Sequence, residues 1–374
     1  MNRITAFVKK EAVLCIAGVM ALCSCFFIPP DSEYLTSYMN MRVLILLFCL
    51  MAVVQAMRNI AVFDRLCAGM LKKVGSIKEL CLMLVMLCMF MSMLLTNDVT
   101  LVTMVPFTLM LFGHIRNSER ICMHCLVMET VSANLGSMLT PFGNPQNLYL
   151  YSTYDYKIIG FMRITAPLFL LSLVLVFFNT ICVRGISADI SFGEAENKTG
   201  FDNKRLLLYI ILFGLCIMSV LRLLNVYILL AVVSAVIFVS DKKALAKVDY
   251  LLLVTFVFFF IFTGNTGRIP LVSNMLANVI SGRELTVSVL ASQLISNVPA
   301  AVLLSNFTDN ADALVAGTNI GGLGTLIASM ASLITYKYYA SHNGADKGSF
   351  VRHFSLINLE ILVILYIFGI FLMK

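Results

Sequence analysis

Apolar runs of roughly 16 to 25 residues, each about long enough to cross a hydrocarbon core of ~30 Å, recur along the whole chain between short polar segments. In order they predict nine spans, at about 12–28, 43–57, 121–151, 161–183, 206–221, 226–239, 250–262, 313–338 and 355–373. Two further stretches, 80–112 and 285–307, are each a pair of apolar arms around a polar tip, Thr96-Asn97-Asp98 in one and Ser296-Asn297 in the other. The pattern predicts a helical hairpin at both. Basic residues on either side of the first (Lys78, Arg116, Arg120) favour a re-entrant hairpin with its tip near the midplane, the alternative being two full spans with a very short outer turn. Spans 121–151 and 313–338 are interrupted by Gly, Pro and Asn at 140–145 and 321–329, so each reads as a broken helix. The segments 59–74 and 269–280 alternate apolar and polar residues at helical spacing and read as interfacial.

Composition agrees with that pattern. With 60% hydrophobic residues, 13% charged and a mean hydropathy of +0.93, the surface must face lipid. The net charge of +7 does not form one basic face: Lys and Arg lie in short clusters between apolar runs. In the nine-span layout 20 of the 27 fall on one side, which the positive-inside bias makes the cytoplasm. The amino terminus is then cytoplasmic and the carboxyl terminus outside. Lys9 and Lys10 ahead of the first run and Leu22-Cys23-Ser24-Cys25 within it resemble export signals, but the run reads on to Pro29 as an uncleaved first span. The 11 Cys sit mostly inside apolar runs, as small hydrophobes do. Cys122-Met123-His124-Cys125 has no second pair to complete a metal site, so neither metal nor organic cofactor is expected.

Because spans 1–4 with their hairpin start inside and spans 6–9 with theirs start outside, the layout predicts an inverted repeat. Its parts are 1–183, a linker and connecting span at 184–225, and 226–374, with 184–205 the only sizeable hydrophilic stretch. The motifs repeat too. Asn97 recurs at 297, an offset of 200 residues, and Asn-[Leu/Ile]-Gly-[Ser/Gly]-x-x-Thr runs from Asn134 to Thr140 and again from Asn319 to Thr325. Interrupted polar backbone at membrane depth is tolerated only where protein buries it or a cavity bathes it, so matched interruptions mark the binding site of a transporter. The candidate residues are Thr96, Asn97, Asp98, Ser296 and Asn297 at the tips, and Asn134, Gly136, Thr140, Pro141, Gly143, Asn144, Asn319, Gly321, Thr325 and Ser329 at the breaks. Carboxamides and hydroxyls there offer oxygen to a cation or N–H to an anion, and they also suit helix capping. The glycines permit close approach of backbone, to a ligand or to a neighbouring helix. Asp98 carries a carboxylate where desolvation is costly, the signature of an ion or proton site. Glu129, ahead of Asn134, is a candidate proton relay; Glu360, near a membrane surface, reads as scaffold.

A hydroxyl-Asn tip beside a broken helix with Asn-x-Gly and Thr140-Pro141-Phe142-Gly143-Asn144-Pro145, in two inverted copies, resembles the ion transporter superfamily. That group holds divalent anion:sodium symporters, citrate transporters, arsenite permeases and some Na⁺/H⁺ antiporters. The resemblance covers nearly the whole chain. It implies an elevator-type secondary carrier, often a homodimer, in which hairpins and broken helices form the moving part. Dicarboxylate symporters of the group carry Ser-Asn-Thr at both tips; Thr96-Asn97-Asp98 and Ser296-Asn297-Val298 depart from it, and an Asn-Asp tip is closer to the arsenite permease and antiporter branches.

The sequence therefore reads as an all-α polytopic membrane protein, a Na⁺- or H⁺-coupled permease for a small anion such as a carboxylate or inorganic oxyanion, in the inner or plasma membrane. Arsenite export or Na⁺/H⁺ exchange is the alternative. No Lys or Arg lies at either tip or break, so an anion would depend on helix N-termini, amides and a bound cation. An intramembrane enzyme would need a nucleophile and base at depth, whereas His342 and His353 fall in an expected loop and His114 and His124 near span ends. Nucleic acid is excluded as a partner. The topology is checked by reporter fusions: a carboxyl-terminal fusion should report the outer compartment and an amino-terminal one the cytoplasm, and two fusions reporting the same side overturn the odd number of crossings.

Overall fold

The computed structural model describes residues 11–28, 38–62, 74–113, 115, 118–182, 203–342 and 344–374, which form seventeen helices. The expected linker and the interfacial segment at 59–74 lie largely outside these residues. So does His114.

The first hairpin is α3 (Ile77–Leu94) and α4 (Asn97–Phe112), and the second is α13 (Glu284–Ile295) and α14 (Asn297–Leu304). The two differ in reach. At 1.5 Å per residue the arms of the second are only about 18 and 12 Å long, too short to cross ~30 Å of hydrocarbon, whereas those of the first are about 27 and 24 Å. At the second tip one residue, Ser296, ends α13 and starts α14 with φ +75°, a left-handed backbone unusual for a residue with a Cβ.

The first broken helix is α5 (Glu119–Ser137) and α6 (Pro145–Thr153); the second is α15 (Ala311–Ile320) and α16 (Met330–Ser341). The second break falls where the sequence places it. The first opens at Met138, two residues ahead of the expected 140, and closes where Asn144 caps Pro145 at the start of α6, its Oδ1 accepting the Asn147 N–H at 2.8 Å.

The remaining helices are α1 (Ala12–Phe27), α2 (Met41–Asn59), α7 (Ile158–Ile181), α8 (Asn203–Val220), α9 (Val226–Ser240), α10 (Lys242–Ala246), α11 (Tyr250–Gly267), α12 (Pro270–Ile280) and α17 (Lys347–Leu372). Among the described residues six helices, α2, α3, α7, α8, α11 and α17, are long and apolar enough to cross a membrane. The expected first and sixth spans are apolar helices of 16 and 15 residues.

Two expectations are corrected. The span expected at 250–262 does not end there: α11 continues to Gly267, where the Asn265 amide donates to Ser24 Oγ of α1 at 3.0 Å and Thr266 Oγ1 donates to the Phe262 carbonyl at 2.9 Å. Polar residues beyond the apolar run are here satisfied inside a helix pair. Nor is His353 in a loop. The last helix starts at Lys347, capped by Asp346 through the Ser349 N–H at 3.0 Å, and its polar first turns escape a pattern built on apolar runs.

Packing sorts the helices into two bodies. In one, α1 lies along α11, and α2 packs against α8, α9, α10 and α11. In the other, α3 runs along α5 and α13 along α15, while α7 and α17 each touch both α5 and α15. The second arms cross over between halves, α4 to α16 and α14 to α6. The bodies meet where α2 reaches α6 and α11 reaches α14. Each half of the chain thus contributes to both bodies.

Hairpin and broken helix approach closely only because two glycines lack side chains. A Cβ on Gly136 would collide with the Met89 carbonyl oxygen and Ser92 Oγ, and one on Gly321 with Ser292 Oγ and Cβ. Gly136→Ala is expected to destabilise the protein by about 1–3 kcal/mol, since a backbone carbonyl must move. Gly214→Ala on α8, where nothing lies within 4 Å, should be neutral or slightly stabilising. Thermal unfolding in detergent compares the two; equal melting temperatures would deny the close contact.

Candidate functional site

At the crossing of the broken helices a set of carboxamides and hydroxyls bonds across the two halves of the chain. Asn134, near the end of α5, accepts at Oδ1 from the Asn97 amide (2.9 Å) and from Ser329 Oγ (2.9 Å). Asn319, near the end of α15, accepts at Oδ1 from the Asn144 amide (3.2 Å) and donates to Asn147 Oδ1 (2.7 Å). Asn144 and Ser329 are the caps that start α6 and α16. Each therefore leaves its own half to bind the Asn that ends the other half's first segment. All six side chains are at least 95% buried.

The frame around them is also doubled. The Asn97 N–H donates to Gly143 O (3.2 Å), and the Asn297 N–H to Ala328 O (2.9 Å). Thr140 Oγ1 donates to Met93 O (2.6 Å) and Thr325 Oγ1 to Gln293 O (3.3 Å). Hairpin positions correspond at an offset of 200, as 97 to 297, and break positions at 185, as 134 to 319. At those offsets the two backbone contacts match each other, as do the two threonine contacts. Four helix N-termini, those of α4, α6, α14 and α16, consequently abut in pairs, with their positive dipole ends at the crossing and no Lys or Arg among the candidate residues.

Not every candidate joins the cluster. Thr96 caps α4, Pro141 is buried inside the first break, and Gly143 is held against the Ser137 carbonyl. Ser296 donates to Ala328 O at 3.3 Å. Asn297 is buried beside Gly322, whose carbonyl lies 3.5 Å from the Asn134 amide, without a bond to Asn319. Thr140 is half-buried and Thr325 exposed, so both tie a break to its hairpin rather than line the centre. Asp98 stands apart: its N–H is capped by Asn97 Oδ1 (2.9 Å), and its half-buried carboxylate on α4 lies within electrostatic reach of Asp249, the cap of α11 in the other body. Glu129 is fully buried, with Oε1 accepting from Thr108 and Oε2 without a partner.

Sequence reasoning read Asn147 as a source of amide and carbonyl groups at the first break without naming it a site residue, and it passed over one pairing altogether. Asn147 holds the first break together, its amide donating to the carbonyls of Ser137 (3.4 Å), Met138 (3.1 Å) and Thr140 (3.3 Å). Its place one turn into a helix after an Asn-Pro start was the available signal. His124 and His353 meet at 2.9 Å between α5 and α17, with His124 Nε2 3.3 Å from Asn179 O on α7. Nothing in the spacing announced that pair. Among the described residues no group of three His, Cys, Asp or Glu is disposed to hold a metal ion.

Since Asn134 Oδ1 serves two donors, Asn134→Ala strands the Asn97 amide and the Ser329 hydroxyl, each at about 1–3 kcal/mol. Ser329→Ala should cost less and lose most of its effect once Asn134 is gone, a coupling of about 0.5–3 kcal/mol in a double-mutant cycle read by unfolding. Strict additivity would mean that the two halves do not bond here.

Comparison with known proteins agrees with this architecture. The family described as Citrate transporter (CitMHS) matches residues 4–313. The chain is 33% identical over 322 residues to Uncharacterized transporter MJ0456 of Methanocaldococcus jannaschii, covering 85% of this chain and 86% of that protein. It is 28% identical over 322 residues to the inner membrane protein YbiR of Escherichia coli, covering 83% of each. With apolar helices long enough to span a bilayer and a family match over most of its length, the chain belongs to the citrate transporter family and is a polytopic membrane transporter.

Proposed function

We propose that the chain is a secondary carrier that moves a small anion together with Na⁺ or H⁺, the body of α3–α7 and α13–α17 sliding against the body built on α2 and α11. The observation that carries this reading is the reciprocal bonding of Asn134 and Asn319, near the ends of α5 and α15, with Ser329 and Asn144, the caps of α16 and α6. Such a centre is neutral, rich in N–H donors and at the positive ends of helix dipoles, which suits an anion without a fixed cationic side chain. The doubled contacts support an inverted repeat, and the sparse meeting of the two bodies supports an elevator movement. The orientation with the amino terminus cytoplasmic and the carboxyl terminus outside follows from the charge bias.

Asp98 supplies the coupling in this reading. It is the only acid at a hairpin tip, its counterpart is Val298, and it lies within electrostatic reach of Asp249 in the other body. Two carboxylates there repel, so binding a proton or cation at Asp98 favours the docked arrangement. Glu129 and its unpartnered oxygen make a second place for a proton. Thr100 Oγ1 and Ser332 Oγ, each one turn into a helix that starts at the crossing, are buried without a partner and are spare oxygens for a cation.

Citrate, which the family's description names, is the first anion to test. A runner-up, Na⁺/H⁺ exchange or arsenite export, is favoured by the presence of acids and absence of bases at the site. Purified protein in liposomes, given an inward Na⁺ or H⁺ gradient, should concentrate citrate or another small anion of a panel that includes phosphate, succinate and arsenite. Asp98→Asn should keep binding yet lose concentrative uptake, leaving downhill flux. Proton movement driven by Na⁺ with no anion accumulating would replace this reading by exchange; an Asp98→Asn protein that still accumulates substrate with unchanged ion dependence would move the coupling to Glu129.

A further inference from the structure

Two residues that have a Cβ sit in left-handed backbone at the ends of neighbouring helices, and their side chains meet. Arg222 (φ +66°) follows α8, and Asp155 (φ +56°) follows α6. The turn after α8 is closed by Leu223 N–H to Met218 O (2.9 Å) and Arg222 N–H to Ser219 O (3.1 Å), the helix ending in which glycine is favoured at the left-handed position. After α6 the Tyr156 N–H reaches back to Tyr151 O (3.1 Å) in the same manner. Neither position holds the residue its backbone prefers, and local rules broken in this way concentrate at functional sites. The side chains supply the reason for retaining them: Arg222 Nη1 and Asp155 Oδ1 form an ion pair.

The location gives the pair a role. Asp155 belongs to the body of hairpins and broken helices, and Arg222 to the body built on α2. One further bond crosses the junction on this face, from the Asn40 amide to Thr153 Oγ1 at 3.5 Å. A cavity of about 450 Å³ opens in the same junction, walled by Asn40 from one body and by Tyr149 and Thr153 from the other. Arg42 adds a second cation. Its Nη2 donates at 2.5 Å to Ser219 O, the carbonyl that also accepts from the Arg222 N–H.

We propose that Arg222 and Asp155 form an ionic latch between the two bodies, closing one face of the junction in the conformation described and opening when the bodies shift. The proposal rests on the reading that the bodies move against each other. The latch is suited to repeated opening. Arg222 is 35% and Asp155 78% exposed, and an ion pair so accessible to water is worth little, so it biases the position of the bodies without locking it. Its two sides are unequal. Arg42 lies within electrostatic reach of Arg222, so without the Asp155 charge two cations repel with no anion paired to either, whereas loss of the Arg222 charge removes that repulsion together with the pair.

Hydrogen–deuterium exchange on the purified full chain in lipid nanodiscs tests this without a known substrate. Asp155→Asn should speed exchange about two- to five-fold in both turns, 154–157 and 221–225, and also at the distant α11–α14 contact. Arg222→Gln should do so less, and the charge swap Asp155→Arg/Arg222→Asp should restore the parent rates. Arg222→Gly, which gives the turn its favoured residue, should raise exchange at the junction with no loss of melting temperature. If each variant disturbs its own turn alone, or the swap restores nothing, the pair is a local tie and the latch is overturned while the two-body reading stands. If the α2–α6 and α11–α14 contacts of the parent protein are as protected as the α5–α15 interior, the two-body reading falls and the latch with it.

Discussion

A helix that stops in the middle of a bilayer leaves backbone N–H and C=O groups where no lipid can bond to them, and each must find a partner inside the protein. This chain interrupts helices at four places within apolar surroundings, at residues 95–96, 138–144, 296 and 321–329. The partners come from the other half of the chain as well as from the same half. Asn144 starts α6 yet bonds to Asn319, and Ser329 starts α16 yet bonds to Asn134. Neither break is complete without the other. The centre therefore forms only when segments almost 200 residues apart have met, a long-range dependence that ties the integrity of the site to the assembly of the whole body.

The same dependence bears on the proposed transport. A site whose amides and hydroxyls are already bonded to each other can exchange those bonds for bonds to a ligand at little net cost, because polar groups are satisfied before and after. Loading can then be reversible, as a carrier requires. A buried Lys or Arg would instead hold an anion tightly or stand unpaired when empty, at a cost of several kcal/mol. Helix N-termini and carboxamides avoid both extremes, and in the proposed coupling the charge is set aside on Asp98, outside the network.

Much of this architecture was legible in the sequence because hydropathy and the paired motifs report the constraint that lipid imposes. The second break was located to the residue, and Asn134, Asn144, Asn319 and Ser329 were all marked. What the pattern could not convey were pairings between distant segments. Asn265 fell outside the expected span at 250–262 because its partner, Ser24, lies 241 positions away. His353 looked the same because the first turns of α17 are polar, and its pairing with His124 over 229 positions leaves no periodic trace. Asn97 and Asn297 were read as equals, and their backbone bonds are; their side chains are not, since Asn97 bonds to Asn134 whereas Asn297 has no matching bond to Asn319.

That inequality extends through the two halves and gives the site a direction. In the first, Asn147 grips three carbonyls of its own break. At the matching place in the second stands Ser332, too short to do so, and its hydroxyl is buried without a partner. Gly324 in the second break has φ +101°, and Thr325 beside it is exposed. The second tip turns on a single left-handed serine between arms of 12 and 8 residues, whereas the first is capped by Thr96 between arms of 18 and 16. The second break is gripped from its hairpin instead, where the Gln293 amide donates to the carbonyls of Gly321 and Leu323, both at 2.9 Å, and Gln293 Oε1 accepts the Thr325 N–H at 2.9 Å. One break is thus held from within and the other from its hairpin, and in the proposed transport the Ser332 hydroxyl is the group that gains a partner on loading.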